Sequence, residues 1–242
     1  MADQEVMLAK LTRREFREAT EAKKFQAAII PVGSNEQHSE HLAMEHDIAS
    51  AAYIAREAAK SLYPKVIVSM PIAIGISEHH MHHKGTVSAK PGSWLAVLFD
   101  AVESLARHGV KNILILNGHG GNTEPLQGAI QQWWRYFKNT APGLNLHFCS
   151  YWDLIPKDLL EKHMKTREIP GHAKEFETSL ALALFPENVR HEAMHDQADK
   201  DPLEATAEKG WLFAKEGVLQ VAHFLEGTTN GRIRPPEFKY FP

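Results

Sequence analysis

The sequence predicts a single-domain α/β protein over residues 1–242, with a mostly parallel central sheet covered by helices on both faces. Three observations support this fold class. Short apolar segments alternate with segments of helical periodicity. Residues 112–116 include a nearly continuous apolar run, which is typical of a strand buried on both faces. No linker rich in Ser, Gly or Pro divides the chain, and 43% hydrophobic residues are enough for one sizeable core.

The predicted elements alternate along the chain. Thr12 and Glu15 have the spacing of a capping box, which would open a first helix. Strands are predicted near residues 27–33, 65–73, 111–117 and 144–150. Helices are predicted near residues 47–61, 92–108, 123–137, 173–185 and 203–216. A core-facing helical period is kept by Trp94, Val97, Leu98, Ala101, Val102 and Leu105. Residues 227–242 are expected to form a loop, either ordered by itself or docked on a partner subunit.

Composition excludes several classes of function. The net charge is −3 and the basic residues are dispersed, so neither nucleic acid nor an anionic membrane is indicated as a partner. No apolar run approaches the length of about 18 residues expected of a spanning helix. The N-terminal residues lack the basic start and apolar core of a signal peptide. Cys149 is the lone cysteine, so no internal disulfide can form, and we expect a cytoplasmic protein.

Candidate metal ligands follow the first predicted strand. Glu36 and His38 lie just past its end, and Asp47 immediately precedes the apolar pattern of the next predicted helix. Strand ends in open α/β sheets are where ligands bind. Alternatively, Glu36 and His38 are exposed loop residues and Asp47 is only a helix N-cap. A cap at the mouth of a site could serve both roles.

A glycine-rich loop, Asn117–Asn122, follows the predicted strand at 111–117 and carries His119 in its middle. Its three glycines let the backbone turn sharply and approach a ligand closely. A phosphate-binding loop is the main competing interpretation, but no Lys-Ser/Thr pair follows and the GxGxxG spacing is absent. A role as metal ligand explains His119 better.

A third group of candidates opens the predicted helix at 173–185. His172 and Glu175 are three residues apart and would share a face, whereas Glu175 and Glu177 are about 200° apart around a helix. Both glutamates could also be first-turn acids favoured by the helix dipole. We favour Glu175 as the ligand and keep Glu177 as the runner-up.

These candidates combine carboxylate and imidazole donors. Such mixed ligands suit Zn²⁺, Mn²⁺ or Fe²⁺, and a spare carboxylate can bridge two ions. The sequence therefore predicts a dinuclear hydrolase site built from loops, with the candidate ligands Glu36, His38, Asp47, His119 and Glu175.

These motifs resemble the creatininase family of metal-dependent amidohydrolases. The resemblance rests on segments that occur in order over residues 31–185: Gly33-Ser34-Asn35-Glu36-Gln37-His38, Asp47, Gly85-Thr86-Val87-Ser88, Asn117-Gly118-His119, and His172-Ala173-Lys174-Glu175-Phe176-Glu177-Thr178-Ser179. It implies a three-layer fold and a homo-oligomer, commonly a hexamer. It also implies that His172 lies near the substrate, that Asp47 bridges the ions, and that metal is bound by Glu36, His38, Asp47 and His119.

The chain departs from the family pattern at several positions. Creatinine-hydrolysing members have a loop similar to Asn-Gly-His-Tyr-Glu-Asn, where this chain has Gly120 and Gly121. The missing loop glutamate disfavours creatinine as the substrate and makes Glu175 the natural replacement ligand. Lys174 stands where the family usually has Gly. In the segment 78–83, one or two histidines are expected to face the pocket, and the others, His82 and His83, to be solvated.

We expect the two ions to activate a water that attacks a carbonyl carbon, and His172 to protonate the leaving nitrogen. The favoured substrate is a small polar cyclic or formyl amide. One alternative is an oxidised cyclitol, such as a keto-inositol, whose ring is opened at a C–C bond by water; another is a non-catalytic metal-binding scaffold. Trp152 would be either an apolar lid or a core residue. Positions beside the substrate or around the ligands are expected for Glu78, His79, Asn122 and Glu177.

Overall fold

Four parallel strands form the central sheet of the computed structural model, which describes residues 5–235. The strands are β1 (Ala27–Val32), β2 (Val66–Val68), β3 (Asn112–Asn117) and β4 (Asn145–Ser150), in the order β2-β1-β3-β4. The predicted parallel sheet is therefore confirmed. β2 is shorter than predicted: Pro71, which has no N–H to donate, follows it closely, and the chain rejoins the sheet only at an isolated bridge between Ile72 and Val32.

Eight α-helices are found in the described part of the chain. They are α1 (Arg13–Glu21), α2 (His46–Ser61), α3 (Pro91–Arg107), α4 (Thr123–Thr140), α5 (Lys157–His163), α6 (Glu175–Leu184), α7 (His191–Asp196) and α8 (Ala207–Thr229). α1 begins with the predicted capping box: the Thr12 N–H donates to Glu15 at 2.7 Å and the Glu15 N–H donates to Thr12 Oγ1 at 3.3 Å. The short helices α5 and α7 were not predicted.

Helices cover both faces of the sheet, as predicted. Successive residues of β1 alternate between two separate apolar cores, since Ile29 belongs to one and Ile30 to the other. α2, α6 and α8 complete the first core, and α3 and α4 complete the second. The result is a three-layer sandwich in which every residue of β1 is buried.

Three predictions about the helices are wrong in detail. The last helix does not span 203–216: it begins after Thr206, whose side chain accepts from the Lys209 N–H at 3.3 Å, and it continues to Thr229. It therefore includes the start of the segment expected to be a loop, of which residues 236–242 lie outside the described part. Val97 follows the core period of α3 but is 58% exposed.

None of the described helices has the length and apolar character needed to cross a membrane.

Candidate metal centre

The parallel topology brings the candidate ligands together. Glu36 and His38 follow β1, and His119 follows the adjacent β3, so both loops leave the same edge of the sheet. The first turns of α2 and α6 add Asp47 and Glu177 to this edge. All five side chains are at least 95% buried by residue.

Asp47 lies at the middle of this cluster. One carboxylate oxygen, Oδ1, is 3.0 Å from His38 Nε2, and the other, Oδ2, is 3.0 Å from His119 Nδ1. His119 Nδ1 is also 3.3 Å from Glu36 Oε1. Asp47 therefore faces a different histidine with each oxygen, which is the arrangement expected of a carboxylate shared by two ions. Asp47 forms no side-chain cap on α2, so its position is not explained by capping.

Backbone carbonyls orient the two histidines. His38 Nδ1 lies 3.1 Å from the Glu36 carbonyl oxygen, and His119 Nε2 lies 3.0 Å from the Ile76 carbonyl oxygen. Because a carbonyl only accepts, these two ring nitrogens carry the protons. The opposite nitrogens, His38 Nε2 and His119 Nδ1, point at the carboxylates, as in histidines that bind a metal.

The cluster strongly favours positive charge on its histidines. Burial disfavours the charged rings, but Asp47 more than compensates, with Glu177 assisting at His38 and Glu36 at His119. The pKa of His38 is raised to about 9 and that of His119 to about 10. A divalent cation bound among these carboxylates would be attracted by the same negative charges. The imidazoles would then be neutral.

Glu177 takes the place that the sequence analysis gave to Glu175. Its Oε2 is 3.6 Å from His38 Nε2 and accepts from the Ala173 N–H at 2.7 Å. Ala173 has a φ of 54°, in the left-handed region that non-glycine residues rarely adopt. Burial raises the pKa of Glu177 to about 8, although His38 opposes the shift. A nearby cation would favour its charged form.

Glu175 points away from the cluster, contrary to prediction. Its carboxylate accepts from Lys209 Nζ at 2.6 Å and from the backbone N–H groups of Lys165 and Thr166 at 2.9 and 2.7 Å. Helical geometry correctly separates Glu175 from Glu177, but the docking of α6 against α8 turns the Glu177 side toward the ligands. Glu175 therefore anchors α8 and the chain around residue 165.

The donor set fits divalent metal ions. Three buried atoms, Glu36 Oε2, His38 Nε2 and Asp47 Oδ2, have no hydrogen-bond partner in the described part of the chain. Glu36, His38 and Asp47 offer ligand atoms within 4.8 Å of one another, and so do His38, His172 and Glu177. Burying unpaired polar atoms and several carboxylates is costly unless a cation compensates them.

Glycines allow the loops to pack this closely. A Cβ at Gly118 would overlap the Asp47 carbonyl oxygen, and a Cβ at Gly121 would overlap the Ile76 carbonyl oxygen. At position 121 it would also lie 2.5 Å from His119 Nε2. Gly118 and Gly121 therefore permit the close approach expected from the sequence, but to protein backbone rather than to a ligand, whereas a Cβ at Gly120 would have nothing within 4 Å.

Asn122 holds the loops rather than lining the cavity. Its Oδ1 accepts from the Ile76 N–H at 3.0 Å, and its Nδ2 donates to the Gly33 carbonyl at 3.2 Å. It also donates to Asn117 Oδ1 at 3.2 Å. These bonds tie the loops after β1 and β3 to the segment near residue 76, so Asn122 supports the loops that carry Glu36, His38 and His119.

Gln37 is a site residue that the sequence analysis missed. Its Oε1 accepts from the Ser39 N–H at 2.9 Å, which identifies the other end of the amide as the Nε2 group. That group lies 2.8 Å from His172 Nε2 and 3.0 Å from His80 Nδ1 and donates to both. The available signal was its position between Glu36 and His38.

His172 stands at the mouth of the site. Because Nε2 of His172 accepts a hydrogen bond from Gln37, the proton of the neutral ring lies on Nδ1. This Nδ1 is 3.5 Å from Glu36 Oε1. Burial and the neighbouring His38 lower the pKa of His172 to about 4, so the ring is neutral near pH 7 in this environment. A cavity of about 350 Å³ opens beside it and is lined by Glu36, Asp47, His80, His119 and Glu177 among others.

The remaining candidates divide between this cavity and the surface. His79 lines the cavity, whereas Glu78 is exposed and is not part of the lining described. His82 and His83 are exposed, and their rings lie 4.0 Å apart. Trp152 packs in the core and lines a separate cavity of about 960 Å³, so it forms no lid over the cluster.

Comparisons with known proteins identify the family of the chain. The creatinine amidohydrolase family profile, Creatininase, matches residues 9–231. The chain is 26% identical to the creatinine amidohydrolase of Pseudomonas putida over 192 residues, which are 76% of this chain and 74% of that enzyme. It is 30% identical to the 3-dehydro-scyllo-inosose hydrolase of Thermotoga maritima over 199 residues, covering 78% of this chain and 60% of that enzyme.

Solved structures show the same fold. A manganese form of creatininase and a Zn–Zn form of a creatininase mutant each superpose with a TM-score of 0.78 at 23% identity. Each comparison covers 93% of this chain and 98% of the other. With a family profile that matches most of its length, the chain belongs to the creatininase family of hydrolases.

Proposed function

We propose that the protein is a divalent-metal-dependent hydrolase with two ions per chain, Zn²⁺, Mn²⁺ or both, with Fe²⁺ as a further possibility. The first group of ligands is Glu36, Asp47 and His119, and the second is His38, Asp47 and Glu177. Asp47 belongs to both groups. The observation that carries the proposal is the pair of 3.0 Å distances from the two Asp47 oxygens to two different histidines.

Bound ions of this kind act as Lewis acids on a carbonyl and lower the pKa of water. The chain supplies the rest. The three buried carboxylates of Glu36, Asp47 and Glu177 balance the positive charge of the ions. His38 and His119, each bonded to a backbone carbonyl, direct their other ring nitrogen toward these carboxylates. His172, held by Gln37 at the mouth, faces the cavity beside Glu36. Its ring is neutral near pH 7, so it would first accept the proton that the attacking water loses and then pass that proton to the leaving nitrogen.

The favoured substrate is a small polar cyclic or formyl amide, cleaved at its C–N bond. A cavity of about 350 Å³ suits a small molecule, and its polar lining suits one with several hydrogen-bonding groups. The amidohydrolase relative supports C–N chemistry. Gly120 and Gly121 stand where creatinine-hydrolysing members have Tyr and Glu, so creatinine itself is not favoured.

Ring-opening of an oxidised cyclitol is the second candidate. The Thermotoga maritima relative, at 30% identity, is named for the hydrolysis of such a compound. His79 and His80 at the cavity can hydrogen-bond to the hydroxyl groups of a keto-inositol. In that case the bond that breaks is a C–C bond, and the proton lost by the attacking water would pass through His172 to the carbon that leaves.

Two measurements test this function against a non-catalytic scaffold. Elemental analysis of the purified protein should give close to two transition-metal ions per chain, whereas a chain that has lost the site would carry none and a metal-binding scaffold would carry metal without turnover. A panel of lactams, formamides and keto-inositols, assayed with Zn²⁺ and with Mn²⁺, should identify the substrate class. Turnover of the cyclitol alone would overturn the amide assignment, and full activity of metal-free protein would overturn the metal mechanism.

The family resemblance also supports a homo-oligomer, with a hexamer as the favoured size, and a single domain over residues 1–242. A cytoplasmic location is supported by the lone Cys149. Light scattering after size-exclusion chromatography would measure the mass of the assembly. A monomer at micromolar concentration would contradict the oligomer.

A further inference from the structure

His79 lies over the first group of ligands from the solvent side. Its ring is stacked on that of His119, with centroids 5.9 Å apart and planes inclined by 11°. His79, His119 and Glu36 each offer a ligand atom, and these three atoms lie within 4.8 Å of one another. His79 is thus the one exposed imidazole of the segment 78–83 that meets the buried ligands Glu36 and His119 together.

Gly121 leaves the room that this imidazole occupies. A Cβ at position 121 would lie 3.0 Å from His79 Cε1 and 2.5 Å from His119 Nε2, so a side chain there would compete with His79 for the same space. Glycine at position 121 therefore leaves the space that the His79 imidazole fills.

The His79 ring has both nitrogens available. Among residues 5–235, its ring contacts the rings of His80 and His119, and no hydrogen bond or ion pair engages its nitrogens. By contrast, Gln37 holds one nitrogen of His80 and one of His172. An imidazole with free nitrogens beside a carboxylate and a second histidine is a good donor for Zn²⁺.

We propose that His79 is an additional protein ligand of the first ion, beside Glu36, Asp47 and His119. This inference rests on the proposed metal-dependent function. The first ion would then have four protein donors, whereas the second group of His38, Asp47 and Glu177 supplies three. We therefore expect the first ion to be held more tightly and the second to exchange more readily.

The test is metal binding by His79→Ala and, as a matched control from the same segment, His82→Ala. Metal-free protein would be titrated with Zn²⁺ against a chromophoric chelator, and the environment of Co²⁺ would be followed by its absorption spectrum. For the wild type we expect two affinities. In His79→Ala the tighter one should weaken by at least about 10-fold, and the Co²⁺ spectrum should change. His82→Ala should match the wild type in both measurements.

Each outcome has a distinct meaning. Two tightly held ions in His79→Ala, with an unchanged Co²⁺ spectrum, would overturn the assignment of His79 while leaving the proposed function intact. A wild-type protein that binds no metal would overturn the proposed function itself. Far-ultraviolet circular dichroism of both variants would separate loss of a ligand from loss of the fold. Equal weakening in both variants would show a general effect of the histidine segment and would also overturn the proposal.

Discussion

At the scale of single residues, Asp47 is the side chain on which both ligand groups depend. Replacement of Asp47 by Ala removes the two oxygens that face His38 and His119. We expect the variant to lose at least one ion and nearly all turnover, and His119→Ala to do the same. Metal content per chain and initial rates measure both effects. An Asp47→Ala protein with full metal content and activity would contradict the proposed centre.

Glu175 and Glu177 form a matched pair for testing the ligand assignment. Glu177→Gln should lower metal affinity, because its carboxylate lies beside His38. Glu175→Gln should leave metal content unchanged but lower the free energy of unfolding by about 2–4 kcal/mol, because it breaks a buried ion pair with Lys209. Metal titration and urea unfolding of both variants measure these effects. The reverse pattern would restore Glu175 as the ligand.

Gln37 is a positioning residue for His172 and His80. Gln37→Leu removes the amide that fixes one nitrogen of each ring, at 2.8 and 3.0 Å. We expect kcat to fall about 10-fold to 100-fold while both ions remain bound, since losses of similar supporting contacts have effects of this size. Steady-state kinetics on the substrate found in the panel, with metal analysis, measures this. An unchanged kcat would show that Gln37 does not position His172 for the reaction.

At the scale of elements, glycine allows α8 to pack directly on α6. A Cβ at Gly210 would overlap the Ser179 carbonyl oxygen, so Gly210→Ala must push the two helices apart. We expect a loss of at least about 1 kcal/mol in the free energy of unfolding. Gly128→Ala in α4 is the matched control: a Cβ there has nothing within 4 Å, and the change should stabilise by about 0.4–1 kcal/mol.

Urea unfolding of both glycine variants measures the difference. If Gly210→Ala were as stable as the wild type, the close contact between the helices would not be a constraint on the fold. The start and end of α8 were difficult to predict because Gly217 and Gly227 resemble helix breakers in the sequence, yet both lie inside the helix.

At the scale of the whole molecule, the proposed metal centre would couple folding to metal binding. The ligands come from the loops after β1 and β3 and from α2 and α6, and they meet only in the folded state. Zn²⁺ should therefore stabilise the metal-free protein, by about 2.7 kcal/mol at a free concentration 100 times Kd. Thermal unfolding with and without Zn²⁺ measures this. Asp47→Ala should show a much smaller rise in Tm, and an equal rise would place the stabilising ion elsewhere.

Sequence alone determined much of the architecture. The alternation of apolar strands with helical patterns predicted the parallel sheet with helices on both faces, because hydrophobic periodicity is a local property of the chain. The ends of β1 and β3 were predictable for the same reason. Since the carboxyl ends of adjacent parallel strands meet at one edge, the proximity of Glu36, His38 and His119 followed from the fold class.

Only the tertiary structure decided which face of α6 meets the cluster. The sequence showed that Glu175 and Glu177 point in different directions, but both directions were compatible with a ligand until α8 docked and Lys209 paired with Glu175. The role of Gln37 and the stacking of His79 on His119 were likewise out of reach. These contacts join residues far apart in the chain, and their geometry depends on how rigid elements pack, which local periodicity does not encode.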